Sequence, residues 1–239
     1  MIMENLFPLL ADRFVPSVRN AFWNLYGGNK AYCLCFHDVS DSVNSFAISL
    51  EKFSTLISSV KDSIVSIGEL KDTSKQTPVV LTFDDGFESM INTVAPFLTS
   101  DSIPFVIYVT TDYINRDGYL SEMQLKELSN NPLCTIGSHM CTHSKTRQMT
   151  SRQIRDEWAK SKRMLQDFTG KEVRHAALPY GSYLSCTKSS KRIALESGYD
   201  TIANTIASPF SKKNKEIYRF VYQKNIDRVE QLLIQLSIK

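Results

Sequence analysis

Short apolar runs rich in β-branched and aromatic residues alternate with helical stretches along most of the chain, and this alternation restricts the fold more than any other feature. The runs lie at 31–36, 79–83, 105–109, 134–137, 173–178, 201–203 and 217–222, and the helical stretches at 46–59, 87–98, 121–128, 151–168, 188–197 and 227–238. Strands and helices in this order describe βα units around a parallel sheet. About seven strands suit an α/β fold of the distorted (β/α) barrel type, whose loops leave the C-terminal strand ends and converge on one mouth. An open doubly wound sheet also places such loops at strand ends, so polar residues there are site candidates under either topology. With 239 residues, 42% of them hydrophobic, the chain can bury one large core. No Pro/Gly/Ser-rich linker, charge block or repeat divides it. A catalytic domain over 31–239 is expected, preceded by an N-terminal helical extension over 1–30. There Leu6, Leu10, Phe14, Val18, Phe22 and Leu25 recur at helical spacing on either side of Pro16.

Composition narrows the function classes. A formal net charge of +3, with Lys and Arg interspersed among Asp and Glu, gives no electrostatic case for a nucleic-acid partner. Lys212, Lys213 and Lys215 form the tightest basic cluster and are expected in a solvated loop, with contact to an anionic substrate or a membrane surface as the alternative. Five cysteines, two of them (Cys33 and Cys35) inside an apolar run as small hydrophobes, fit a reducing compartment. The first ten residues carry Glu4 where a secretory signal has a basic segment, and show neither a long apolar core nor a cleavage site. No stretch reaches the roughly 18 to 20 apolar residues that span a bilayer. A cytoplasmic location is therefore expected. The apolar face of the N-terminal helix is expected to pack on the domain; the alternative is peripheral contact with a membrane surface.

The chemistry lies at the strand ends. Thr82-Phe83-Asp84-Asp85-Gly86 follows the apolar run Val79-Val80-Leu81. Side chains alternate along a strand, so Asp84 and Asp85 share one cavity only if a turn begins there, which Gly86 permits. Standing alone, the segment reads equally as a polar turn with an Asp helix cap. Ser138-His139-Met140-Cys141-Thr142-His143 follows Thr135-Ile136-Gly137, and its imidazoles stand four positions apart, a spacing that puts both on one side of a helical turn within reach of one cation. Two His and one Asp make a three-ligand set with positions left open for water and substrate, as in catalytic zinc sites. Leu178-Pro179-Tyr180-Gly181 ends another run. By itself it is a Pro-Tyr-Gly turn; at a barrel mouth it would line the pocket and offer the Tyr180 N–H to a developing oxyanion.

These three motifs, in this order and covering roughly residues 31–222, resemble the polysaccharide deacetylases, carbohydrate esterases with a NodB-like homology domain. The resemblance implies a distorted (β/α) barrel and hydrolysis of an N-acetyl, sometimes O-acetyl, group of a sugar. By position it implies Asp84 as general base and Asp85, His139 and His143 as ligands of one divalent ion, with zinc expected and cobalt, nickel or iron as alternatives. The chain departs from the common pattern twice. Ala177 stands where many members carry an Arg that orients the base, and no histidine follows His175 to serve as the late general acid. His37-Asp38, just after the first run, resembles the early His-Asp of deacetylases acting on poly-N-acetylglucosamine or related envelope sugars, so His37 is the candidate acid. Its competing role is a hydrogen bond to a metal ligand. His175, inside a strand run, is read as structural.

The expected activity is a metal-dependent sugar N-deacetylase acting on an acetamido sugar, with a polymer, an oligosaccharide or a lipid- or nucleotide-linked precursor as the substrate class and envelope polysaccharide synthesis as the setting. Without an export signal, an intracellular precursor is favoured. The alternatives are a deformylase of a lipid-linked amino sugar and a non-catalytic carbohydrate-binding homologue. Phe87, Tyr180 and Tyr183 are candidates to stack on a sugar ring, though such residues serve ordinary packing as often.

Overall fold

The computed structural model describes residues 30–223. The helices expected around Leu6 to Leu25 and over 227–238 lie outside the described residues. Strands β1 (Lys30–Phe36), β4 (Val79–Asp85), β5 (Phe105–Val109), β6 (Cys134–Ser138), β7 (His175–Ala177), β8 (Thr201–Ala203), β10 (Glu216–Ile217) and β11 (Phe220–Val221) pair in the order β10-β8-β7-β6-β5-β4-β1-β11, all in parallel. Strand β9 (Phe210–Ser211) runs antiparallel beside the start of β1, and β2 (Asp38–Val39) pairs with β3 (Ala47–Ile48).

The two edges of this sheet belong to one short segment. Residues 216–217 pair with β8 and 220–221 with β1, so Tyr218 and Arg219 alone bridge the gap. The sheet is a nearly closed barrel, sealed by chain continuity where the ladder stops. The single strand expected over 217–222 is thus two, because the segment changes partner at Tyr218-Arg219.

Period-two alternation sorts the side chains. Leu34, Leu81, Phe83, Phe105 and Ile107 face outward into the main core with the helices, whereas Cys33, Val80, Val106 and Tyr108 face the barrel interior. The interior is built largely of small residues, Ala31, Cys33, Ala177 and Ala203, around the large Tyr108 ring and the buried Arg219 side chain. Opposite Tyr108 in the register stands Gly137. A Cβ there would lie 2.5 Å from Tyr108 Cδ1 and 2.9 Å from the His175 carbonyl oxygen.

The outer helices are α1 (Leu50–Ser58), α2 (Ala95–Ser100), α3 (Glu122–Asn130), α4 (Ser151–Thr169) and α5 (Lys188–Glu196). Capping boxes start α3 (Ser121/Gln124), α4 (Thr150/Gln153) and α5 (Thr187/Ser190). The stretch expected as one helix over 87–98 begins instead with a π-helical turn, Met90–Val94, before α2. Pro96 sits in the first turn of α2 and has no N–H for the carbonyl four residues back. Residues 46–49, expected in α1, form a turn at Phe46, then β3 and the Ser49 cap. Lys212 is buried, not solvated as expected: its ammonium donates to the carbonyls of Thr73 (3.1 Å) and Lys75 (2.8 Å), pinning that loop. All five cysteines are free and buried.

Two stability measurements follow. Gly137→Ala is expected to cost about 1–3 kcal/mol by overpacking against Tyr108, read as a lower urea midpoint; an unchanged midpoint would show that the ring can swing aside. His175, with Nδ1 2.9 Å from Thr201 Oγ1, is pushed down from 6.5 to about 4 by burial. The unfolded chain therefore takes up this proton at higher pH than the native one, and stability falls as pH drops from 6.5 towards 4, by up to about 3 kcal/mol for this group. Urea denaturation across that window is expected to show a shallower fall for His175→Asn than for wild type; parallel curves would sink the assignment.

Candidate active site

Asp84 and Asp85 end β4, and the chain turns where the two-carboxylate cavity requires it. Asp85 adopts φ 74° and Gly86 φ 86°, so both carboxylates face one mouth in place of opposite faces of the sheet. A left-handed Asp is tolerated at modest cost. Its carbonyl accepts from Thr110 N–H (3.3 Å), and that of Gly86 from Leu120 N–H (2.9 Å), which anchors the turn to the neighbouring strand end.

His139 and His143 are brought together by a loop, not by the helical turn their spacing suggested. Met140 and His143 both have positive φ, 64° and 54°. Glu157 on α4 holds the loop, its Oε2 accepting from the backbone N–H groups of Cys141 (2.8 Å) and Thr142 (3.0 Å). The ring centroids of the two histidines are 5.0 Å apart.

Four side chains converge. His143 Nε2 lies 3.2 Å from Asp85 Oδ1, and His139 Nε2 lies 3.7 Å from both Asp85 Oδ1 and Asp84 Oδ2. One ligand atom each from Asp85, His139 and His143 fall within 4.8 Å of one another. His139 is buried, with Nδ1 2.8 Å from the Ala177 carbonyl oxygen. A carbonyl only accepts, so Nδ1 carries the proton and Nε2 keeps its lone pair aimed at Asp85. Burial pushes His139 down to about 4, outweighing the pull of Asp84, so the imidazole is neutral. Asp85 Oδ1 is buried without a hydrogen-bond partner among the described residues. A neutral imidazole with its lone pair presented, a second imidazole and an unsatisfied carboxylate oxygen fit a divalent cation.

Asp84 is held apart from this set. Arg219 Nη1 donates to its Oδ1 (2.6 Å) and Nη2 to its Oδ2 (2.7 Å), a bidentate pair with Asp84 2% and Arg219 0% exposed. Burial alone would raise the Asp84 carboxyl, but the Arg219 charge and hydrogen bonds hold it well below the usual carboxylate range. Arg219 also donates from Nε to the Asn204 carbonyl (2.9 Å) and lies over the Tyr108 ring at 5.4 Å. It supplies from the barrel seam the guanidinium missing at Ala177. The sequence signal was a lone cation in the apolar run Ile217-Tyr218-Arg219-Phe220-Val221; Glu157 left none.

His37 follows β1 and lies beside Asp84: a ring nitrogen of His37, Cys35 Sγ and a carboxylate oxygen of Asp84 are mutually within 4.8 Å. Its ring packs on Phe46 at 4.6 Å, and Nδ1 is buried without a hydrogen-bond partner among the described residues. Burial lowers its pKa against the opposing pull of Asp84 and Asp85. Pro179 and Tyr180 lie on the same rim. Tyr180, at φ 61°, places its half-exposed ring 4.8 Å from that of His143, with Lys145 above it at 5.1 Å. Gly181 follows because a Cβ there would come within 2.6 Å of Thr205 N. Phe87 stacks on Tyr119 at 4.9 Å, and Tyr183 is exposed. His175 points elsewhere, to Thr201.

Removing one partner of a buried pair leaves an uncompensated charge, so Arg219→Met is expected to lose about 3–5 kcal/mol of stability. Combined with Asp84→Asn, the losses should fall short of additivity by at least about 1 kcal/mol in urea denaturation. Strict additivity would show that the pair is not coupled.

The geometry agrees with what the chain is similar to. A family model described as polysaccharide deacetylase matches residues 71–202 of the 239. The protein YxkH of Bacillus subtilis (strain 168), itself named after the polysaccharide deacetylases, is 26% identical over 124 residues. That alignment covers 52% of this chain and 44% of YxkH, so it spans less than half of that relative. Among solved structures, IcaB from Ammonifex degensii superposes with a TM-score of 0.76 at 23% identity, over 88% of this chain and 98% of that one. The Streptococcus pyogenes deacetylase PplD, in complex with acetate, gives 0.74 at 20% identity over 87% and 98%. The de-N-acetylase from Aggregatibacter actinomycetemcomitans gives 0.71 at 16% identity over 85% and 99%. These likenesses establish the barrel, and the family match, covering more than half of the sequence, establishes that the chain belongs to the polysaccharide deacetylase family.

Proposed function

We propose that this protein is a metal-dependent hydrolase that removes the N-acetyl group of an acetamido sugar. The observation that carries the reading is the division of labour at the mouth: a three-ligand cluster, and beside it a carboxylate that Arg219 keeps ionised. Asp85, His139 and His143 would hold one divalent ion, and their one-oxygen, two-nitrogen donor set suits zinc. Such an ion supplies Lewis-acid polarisation of the acyl carbonyl.

The chain's own groups account for the proton movements. Asp84 uses two of its lone-pair sites for Arg219 and has others free, so Oδ2, on the His139 side, takes the proton of the attacking water. The Tyr180 N–H donates to the developing oxyanion, with Pro179 fixing the approach to that turn. An amide nitrogen is a poor leaving group until protonated; His37, beside Asp84, receives the proton that Asp84 took from the water and passes it to that nitrogen, so that the C–N bond breaks, acetate and the free amine separate, and both residues return to their starting state. Support also comes from the relatives, since PplD was solved with acetate and the Aggregatibacter actinomycetemcomitans neighbour is a de-N-acetylase. Among the described residues no helix is long and apolar enough to cross a membrane.

The test is acetate release from N-acetylglucosamine oligomers and from a UDP-linked acetamido sugar, with and without zinc or cobalt. Asp84→Asn is expected to lower turnover by about 10²–10⁴-fold, and Asp85→Ala to lose the bound ion in metal analysis. No release from any substrate by the metal-loaded protein would defeat the reading, and release from matched formamido sugars would convert it to a deformylase. His37→Ala should cut turnover about tenfold or more with metal content intact; loss of metal, with unchanged turnover after remetallation, would reassign His37 to holding a ligand.

A further inference from the structure

Beside the candidate active site lies a cavity of about 480 Å³ that the chemistry above does not use. Its walls start where the site residues end: Asp38 directly follows His37, and Phe87 stands two residues after Asp85. One residue step is about 3.8 Å between Cα atoms, so the cavity borders the mouth. The Tyr119 phenol, which lines it, is raised by burial and by the fields of both Asp85 and Asp38.

Two properties of the cavity identify an occupant. One wall is aromatic: Phe87 stacks on Tyr119 at 4.9 Å and 23°, and Tyr113 packs behind Tyr119 at 4.7 Å. The other property is charge. Asp38, Glu88 and Asp117 line the cavity, with no Lys, Arg or His among its lining residues. Asp38 is nine-tenths buried, accepts a hydrogen bond only from the Ser40 hydroxyl (2.5 Å), and has no ion-pair partner among the described residues. Glu88 accepts from Gln124 Nε2 at 3.4 Å, and the nearby Arg116 guanidinium is engaged over the Tyr113 ring at 5.1 Å. A carboxylate so enclosed and without a counter-ion invites a cation, and an aromatic face beside it invites the apolar face of a sugar ring.

We propose that this cavity is a subsite for a neighbouring sugar unit that carries a free, protonated amine, so that the enzyme prefers chains already deacetylated next to the reacting unit. The identity of the chain crossing the mouth rests on the deacetylase reading; the affinity of the cavity for an amino sugar does not. An acetylated unit presents a neutral amide to the carboxylates, whereas an amino unit presents an ammonium group.

Calorimetry on the full-length protein with the trimer of glucosamine and the trimer of N-acetylglucosamine, at pH 6.5 and low salt, tests the affinity. The amino trimer is expected to bind about tenfold tighter, and the double variant Asp38→Asn/Glu88→Gln to bring the two within about twofold. Phe87→Leu is expected to weaken both trimers. Equal affinities in wild type, a preference untouched by the double variant, or displacement of the amino trimer by millimolar calcium in wild type and double variant alike would overturn the proposal. The second arm compares acetate release from two tetramers, one fully acetylated and one with a single internal free amine. The mixed tetramer is expected to show about tenfold higher kcat/KM. Release from both without preference would sink the subsite and leave the deacetylase reading standing. Carboxylate-dependent binding of the amino trimer with no release from either tetramer would sink the deacetylase reading and leave the subsite.

Discussion

The buried ion pair between Arg219 and Asp84 is the interaction on which the barrel and its site both depend. Arg219 belongs to the two-residue bridge between the sheet edges, so the bonds that fix its guanidinium also draw the last strand segment across the gap. Burying two charges costs several kcal/mol each, and their attraction offsets this only where geometry is good and remaining donors are satisfied. Both conditions hold: the contact is bidentate, Nε is taken by the Asn204 carbonyl, and Tyr108 stacks on the cation. The small interior residues and Gly137 have the same origin, since they leave the volume that Tyr108 and Arg219 occupy.

A second constraint is backbone strain, concentrated around the mouth. Asp85, Met140, His143 and Tyr180 all carry positive φ without being glycine, a state that costs on the order of 1 kcal/mol or more per residue. Each bend is over-determined by contacts from a rigid element: Thr110 N–H on the Asp85 carbonyl, Thr111 N–H on that of Met140, Glu157 under the histidine loop, and Thr205 Oγ1 on the Tyr180 carbonyl. The strain delivers what regular structure cannot, because a strand would splay Asp84 from Asp85, and a helix would set His139 and His143 in register with each other without aiming both at Asp85.

What was legible in the sequence follows from where information is local. The runs at 105–109 and 201–203 match their strands end for end because each is a buried, β-branched or aromatic segment bounded by turn residues. The cluster of Asp84, Asp85, His139 and His143 was legible because strand ends of a βα repeat must converge, whatever the loops do. The loop conformation of the histidine pair was not, since spacing of four also occurs in a bend stabilised by a distant Glu157. Nor was the partner of Asp84. A motif scan finds an Arg at a fixed offset, whereas the physical requirement is a guanidinium at one point in space, and here it arrives 42 residues after Ala177. The π-helical start ahead of α2 was hidden in the same way, because periodicity reports the buried face and not the hydrogen-bond ladder.

The electrostatics of the mouth explain why the two aspartates can differ in role while adjacent in sequence. Asp84 looks into the barrel, where the guanidinium meets it and keeps the resting carboxylate ionised. Asp85 looks outward past the turn, meets only imidazoles and keeps one oxygen without a hydrogen bond. His139 stands between them and stays neutral, because its burial outweighs the attraction of both carboxylates and because the Ala177 carbonyl holds its proton on the far nitrogen. Had His139 been a cation, it would compete with Arg219 for Asp84 and present no lone pair to a metal. The single backbone contact that fixes its tautomer therefore keeps the cluster of Asp85 and the two imidazoles distinct from the arginine-bound carboxylate of Asp84 only a few ångströms away, and the Ala177 side chain, too small to reach Asp84, leaves that carboxylate to the arginine from the seam.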